Sequence, residues 1–196
     1  MEKIIIIGSG GHATSCIDVI QNENKFQIFG IITKDRKIKK LLNYNVVGYD
    51  DDLNNLSKKI PNAFIGIGQI KDYQKRLFYY QKLLKLNFKL PSILSPQSYI
   101  SNNSIIGVGT VIMNGVVINS NVKIGNNNII NSKALIEHDV VIGNNCHIST
   151  GVIINGNVKV GNNIFIGSGS IIFNDVNISD NSIIPAGSII TNNFNN

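Results

Sequence analysis

Between residues 100 and 190 an aliphatic side chain returns at every sixth position, with no insertion. Ile stands at 100, 106, 112 and every sixth residue to 190, and Val160 is the one departure. The residue four places after each is small or branched almost throughout, as in Thr110, Val116, Ala134, Val140, Cys146, Val152 and Val176. A longer period lies over the first. Gly107, Gly125, Gly143 and Gly161 are eighteen residues apart, and Ser179 holds the next place. Three hexads then make one coil of a prism, and the glycines are expected to mark a recurring corner where φ is positive. Each Ile is expected to point inward and stack on the Ile one coil away, about 4.8 Å distant. Such a period fits a parallel β-helix. A sandwich of short strands has no reason to hold a six-residue register for so long.

Ahead of the repeat the pattern changes. Residues 4–7 form a continuous apolar run of four Ile, the mark of a strand buried on both faces. Gly8-Ser9-Gly10-Gly11-His12-Ala13 follows, and residues 14–21 read as a helix with Cys16, Ile17 and Ile20 on one face. Further strands are expected at 26–32 and 63–67. Helices are expected at 50–56 and 72–86, the last with Leu77, Tyr80, Leu83 and Leu84 as its apolar face. Strands alternating with helices mean a parallel sheet with helices packed on it. The expected division is a Rossmann-like α/β domain over 1–90, a linker over 91–99 punctuated by Pro91 and Pro96, and a β-helix over 100–196.

The glycine loop reads G-x-G-x-x-A between a strand and a helix, a variant of the dinucleotide fingerprint. Glycine lets backbone approach a phosphate, and a helix N-terminus offers free N–H donors. A domain this small holds half of a doubly wound fold, so one nucleotide is the expected cargo. Charge agrees with that. The net charge is +6, yet residues 100–196 carry three lysines against four acids, so the basic excess lies in the first half. That excess suits phosphorylated ligands, and no nucleic-acid-binding motif accompanies it. Cys16 and Cys146 lie far apart and suggest buried or free thiols in a reducing compartment. No apolar run reaches the ~18 residues of a membrane span, and the start is too short for a signal peptide. The expected location is the cytoplasm.

Three histidines are candidates for chemistry: His12 in the glycine loop, and His138 and His147 in the repeat. Neither of the latter two occupies an inward position. His138 lies between Glu137 and Asp139, so a carboxylate can orient its ring and hold one tautomer. A histidine so placed is a natural base for an attacking amine or hydroxyl. A three-histidine zinc site needs a third ligand, and the repeat has two histidines, so no metal is expected.

Several stretches together resemble a family: Ile-Ile-Gly-Ser-Gly-Gly-His at 6–12, Ile-Gly-Ile-Gly at 65–68, Arg76, Pro91, Ile136-Glu137-His138-Asp139, Cys146-His147-Ile148 and Gly156-Asn157-Val158. The chain resembles the hexapeptide-repeat sugar O- and N-acyltransferases with a Rossmann-like N-terminal domain, of the bacillosamine-pathway and sialic acid acetyltransferase type. The resemblance implies a left-handed β-helix and a homotrimer with active sites between subunits. It implies acetyl-CoA as co-substrate and a nucleotide sugar as acceptor. By it His138 is the general base and Asp139 its partner. His147 falls near the thioester, and Gly156, Ser168 and Ala186 fall along the cofactor. Gly10, Gly11, His12 and Gly68 match the sugar-nucleotide loop and a second contact. Thr33 and Lys34 fall where relatives bind the base. Thr33 stands where many relatives have an acid, with Asp35 as its possible substitute. The chain ends at Asn196 without the Gly-x-Pro-Ala-Lys-like tail of many relatives, so a differently built outer cofactor site is expected.

The expected activity is direct acetyl transfer to the 4-amine of a UDP- or dTDP-linked amino-deoxy-sugar. O-acetylation of sialic or related nonulosonic acids is the alternative within the family. A non-catalytic sugar-nucleotide-binding or scaffold protein is the alternative outside it.

Overall fold

Residues 1–70 and 72–195 are described in the computed structural model; Lys71 and Asn196 fall outside them, and with Asn196 the expectation about the chain's outer end. The first domain runs β1 (Glu2–Ile7), α1 (Gly11–Glu23), β2 (Phe26–Ile32), β3 (Lys40–Leu41), β4 (Tyr44–Gly48), α2 (Leu53–Ser57), β5 (Asn62–Ile65) and α3 (Gln74–Lys85). Its sheet has the order β3-β4-β2-β1-β5. β1 pairs in parallel with β2 and β5, and β3 pairs antiparallel with β4. The four Ile of β1 are fully buried, as a central parallel strand requires. From β1 the chain builds one way to β2 and β4, then returns to place β5 on the other side. In open α/β sheets ligands bind at the strand ends where such an order reverses, and in this sheet that point lies at Gly8 and Gly66.

Two local readings change. Helix α1 starts at Gly11, inside the glycine loop rather than after it. On α3 the buried face is Arg76, Tyr79 and Leu83, whereas Leu84 is exposed. A polar residue thus holds the place that an apolar pattern assigns to leucine.

From Ile93 onward the chain winds into two-residue rungs in three parallel sheets, of six, six and five strands. The first rung, Ile93–Leu94, lies within 91–99 and pairs with Val111–Ile112. The column is a left-handed parallel β-helix. From Tyr99–Ile100 onward each second rung residue is the Ile or Val of the six-residue repeat, and all but Ile100, Ile106 and Ile190 are buried to within a few per cent. Register confirms the stacking: Ile118 pairs with Ile136, Ile136 with Ile154 and Ile154 with Ile172.

The glycines work differently from the expectation. Positive φ recurs every six residues, at Gly109, Gly115, Asn121, Asn127, Lys133, Asp139, Asn145 and onward to Gly187. Gly107, Gly125, Gly143 and Gly161 are not among them. A Cβ on Gly125 would lie 2.6 Å from the Gly143 carbonyl oxygen of the next coil. These glycines are there because coils approach closely, not because the backbone turns left-handed.

The three outer faces differ. On one, Ile93, Val111 and Ile129 are fully buried where the first domain covers them. An apolar cluster runs from Ile4, Ile6, Ile17 and Ile20 into the column without a break. The second face presents Tyr99, Val117, Leu135, Ile153, Ile171 and Ile189, an apolar outer stripe along its whole height. The third carries Lys123, Lys159 and Asn177.

Arg76 bolts the domains together. It is fully buried and donates to the carbonyls of Ile65 (2.6 Å) and Ile67 (2.9 Å) in the first domain. It also donates to Asn127 (3.3 Å) and Gly109 (3.2 Å) at two corners of the column. No carboxylate pairs with it among the described residues, and burial pulls it down to about 10. Carbonyl dipoles stand in for its lost hydration.

Candidate active site

Positive φ places Asp139 at a corner of the column after the rung Leu135–Ile136. His138 precedes it, and both side chains are about half exposed. Asp139 Oδ2 lies 2.8 Å from His138 Nδ1, which therefore donates. The other carboxylate oxygen accepts from Asn121 Nδ2 at 2.5 Å. Asn121 first and His138 second hold the Asp139 carboxyl below its usual range. With the proton on Nδ1, the lone pair lies on His138 Nε2, which has no hydrogen-bond partner among the described residues. The ring rests on Gly156, one coil further, where a Cβ would lie 2.7 Å from Cε1 and 2.8 Å from Nε2. Gly156 is thus glycine because an imidazole occupies the space of its side chain.

Asn121 was not singled out by sequence reasoning. It precedes Asp139 by eighteen residues, so the coil period itself puts it beside that carboxylate.

The second group of candidates meets in a cavity of about 470 Å³ at the ends of β1, β2 and β5. Gly10, Gly11, His12, Thr33, Lys34, Asp35 and Gly68 all line it. Helix α1 begins there with no side-chain cap and no acid in its first turn, leaving its first N–H groups free for an anion. A Cβ on Gly10 or Gly11 would meet nothing within 4 Å, so the chain itself has no need of glycine at either place. Gly8 is different: its φ is +112° and a Cβ would lie 2.9 Å from Ile67. Thr33 Oγ1 lies 2.8 Å from Ser9 Oγ and accepts from the Asp35 N–H at 3.2 Å. Asp35 Oδ1 accepts the Lys37 N–H at 2.9 Å. Lys34 stands over the Tyr79 and Phe78 rings.

The third group is divided. Ser168 and Ala186 are exposed on a different corner, after the rungs Phe165–Ile166 and Ile183–Ile184. Ser168 Oγ lies 2.8 Å from Ser149 Oγ. One chain therefore does not gather them with His138 and Gly156. His147 is buried under the first domain. Its Nδ1–H donates to the Gln69 carbonyl, and its Nε2 accepts from Asn131 Nδ2 at 3.2 Å. Burial drives its pKa down to about 4, the Gln69 bond opposes this, and Arg76 adds to it. Within one chain His147 is thus a neutral ring whose one N–H is taken. It belongs to the junction with Arg76 and His12, through contacts that no local pattern announces.

Cys146 is buried and its thiol is pushed up to about 12 by burial, which removes it as a nucleophile. Among the described residues no group of three His, Cys, Asp or Glu side chains is placed to hold a metal, and no helix is long and apolar enough to cross a membrane.

Residues 3–83 match the family described as the PglD N-terminal domain, and residues 121–156 match the bacterial transferase hexapeptide family (six repeats). Among solved structures, PerB from Caulobacter crescentus, in complex with CoA and GDP-perosamine, is 29% identical with a TM-score of 0.92. The match covers 99% of this chain and 91% of that one. A histidine mutant of perosamine N-acetyltransferase from the same organism, with the same two ligands, is 28% identical with a TM-score of 0.93, over 99% and 90%. The acetyltransferase domain of PglB from Neisseria gonorrhoeae is 23% identical with a TM-score of 0.90, over 100% and 94%, and shares the fold. No curated protein sequence matches significantly. The PglD-type first domain, the hexapeptide column and the likeness over nearly the whole length to sugar N-acetyltransferases match the hexapeptide-repeat sugar acyltransferases with a Rossmann-like N-terminal domain.

Proposed function

We propose that this protein transfers an acetyl group from acetyl-CoA to the amine of a nucleotide-linked amino-deoxy-sugar, with His138 as general base. The observation that carries this reading is the Asp139–His138 pair over Gly156. It is an oriented imidazole whose basic nitrogen has no partner among the described residues, on a fold whose relatives hold CoA and GDP-perosamine. The cavity at the start of α1 receives the nucleotide diphosphate, on free N–H groups and beside Lys34 and Lys75.

Acetyl-CoA supplies the acyl group as a thioester. His138 Nε2 accepts the proton that the acceptor nitrogen sheds as its new C–N bond forms. The C–S bond breaks, and the sulfur leaves with the electron pair. Asp139 holds the ring and stabilises the imidazolium. Backbone N–H groups at the corner are the candidates for the oxyanion, since His147 has no free donor. The 4-amine remains the favoured acceptor position. The 28–29% relatives in complex with GDP-perosamine add a GDP-linked sugar to the UDP- and dTDP-linked ones expected.

The protein acts as a homotrimer in this reading. The apolar stripe from Tyr99 to Ile189 is the surface that further copies cover. Trimer formation would bring the Ser168–Ala186 corner of one chain toward the His138 corner of another.

CoA release measured against GDP-, UDP- and dTDP-linked 4-amino-sugars, with free sialic acid as comparison, tests the activity. Release with one of the nucleotide sugars is expected. In the His138→Ala variant kcat should fall by about 10²-fold or more, with the KM for acetyl-CoA little changed. Release with sialic acid alone, or equal loss in kcat and cofactor binding, would contradict the reading.

A further inference from the structure

Behind the cavity wall, the buried Cys16 sits one helical turn after His12, with Sγ 3.4 Å from His12 Nε2. His12 is the histidine that lines the cavity. Its Nε2 is turned to Cys16, which leaves Nδ1 as the ring nitrogen with no hydrogen-bond partner among the described residues. No other hydrogen-bond partner of Cys16 Sγ exists among the described residues. An imidazole nitrogen is a good acceptor and a thiol sulfur a poor one, so the S–H is the donor. A ring that accepts at Nε2 while neutral keeps its own proton on Nδ1.

We propose that Cys16 is a positioning residue: its thiol fixes the tautomer of His12, so that Nδ1–H is presented to the anionic ligand of the cavity. The alternative tautomer would turn a lone pair toward a phosphate oxygen, which is repulsive. The surroundings support a neutral ring. Burial, then Arg76, then His147 hold His12 down at about 3, and burial keeps the Cys16 thiol protonated up to about 12. Lys34, Lys75, Asp35 and Tyr79 complete the charged and titratable wall of the cavity. Gly68 lets the ring lie close, since a Cβ there would be 3.3 Å from His12 Cβ. The cavity thus uses a neutral donor for its anion, and that donor is set by a thiol that never touches the ligand.

The inference rests on the reading that the cavity takes a nucleotide diphosphate. The test is nitrogen NMR of protein labelled only at histidine, with GDP as probe and a His12→Gln variant for assignment. His12 should show a protonated Nδ1 and an unprotonated Nε2, and the Nδ1–H signal should shift when GDP is added. A protonated Nε2 would overturn the assignment, even in an enzyme with full acetyl-transfer activity, so the two readings fail separately. In kinetics, Cys16→Ala should raise the KM for the nucleotide sugar about three- to tenfold, with kcat and the KM for acetyl-CoA changed less than about twofold. Cys16→Ser keeps an O–H donor and should recover most of the loss. An unchanged KM in Cys16→Ala, or a serine variant as impaired as the alanine one, would contradict the proposal. Should Cys16→Ala fail to fold, the NMR of the unaltered protein still decides.

Discussion

At the scale of single residues, the site depends on a glycine that lacks a side chain so that a histidine can have a place. Gly156→Ala would put a methyl group 2.7 Å from His138 Cε1. The backbone there has no positive φ, so the substitution costs the fold little and the ring must move. The expected outcome is a fall in kcat of about tenfold or more, with a melting temperature within a few degrees of the parent. A crystal structure of the variant should show the imidazole displaced. The histidine and its carboxylate were legible in the sequence because they are neighbours in it, and Gly156 was legible through the resemblance. Its steric reason was not, because that needs the ring's direction. The junction contacts of His147 were hidden for a related cause. Its partners, Gln69 and Arg76, are more than seventy residues away, and only tertiary structure shows that its N–H is already taken.

At the scale of elements, the six-residue period determined nearly everything about the column. Inward Ile, two-residue rungs and parallel stacking all follow from a spacing that admits no slip. The glycines show where periodicity stops being informative. Gly125 and Gly151 look alike in sequence and serve opposite needs. A Cβ on Gly125 meets the next coil's backbone, whereas Gly151 has a φ of +66° and open space around it. Gly125→Ala should therefore destabilise by about 1–3 kcal/mol through overpacking, read as a lower denaturation midpoint. An unchanged midpoint would mean that the coils can part there without cost. In the first domain the strands β1 and β2 and the helix α3 were visible from their apolar patterns. The β3–β4 hairpin was not. Its strands are short, and its left-handed turn position falls on Leu42 (φ 51°) rather than on the Asn-Gly pair that announces a hairpin. The loop residues of the cavity were legible because a strand, a glycine run and a helix follow one another without a gap.

At the scale of the whole molecule, two histidines, His147 buried at the junction and the partly buried His12 beside it, link stability to pH. The pKa values of His12 and His147 in the folded protein, about 3 and about 4, lie below the ordinary value of 6.5. The unfolded chain therefore binds more protons between those limits, and stability rises with pH across that window. Full stability is present above about 6.5. It is lost as pH falls toward 4, by up to about 1.4 kcal/mol per pH unit for each histidine. Thermal melting followed from pH 7 to 4.5 should show this loss. His147→Gln, which keeps a donor for the Gln69 carbonyl, should flatten the curve. A melting temperature that does not respond to pH in this range would mean that the junction opens before the rings are protonated. The same junction fixes the first domain, and the cavity it carries, on the column, with Arg76 spanning carbonyls of both. Neither domain alone carries both the basic nitrogen and the anion site.

The most direct test is a crystal structure with acetyl-CoA bound. The thioester sulfur should lie within about 5 Å of His138 Nε2, in a cleft that a second copy of the chain completes with its Ser168–Ala186 corner. A cofactor bound with its sulfur far from residue 138 of every copy would contradict the account.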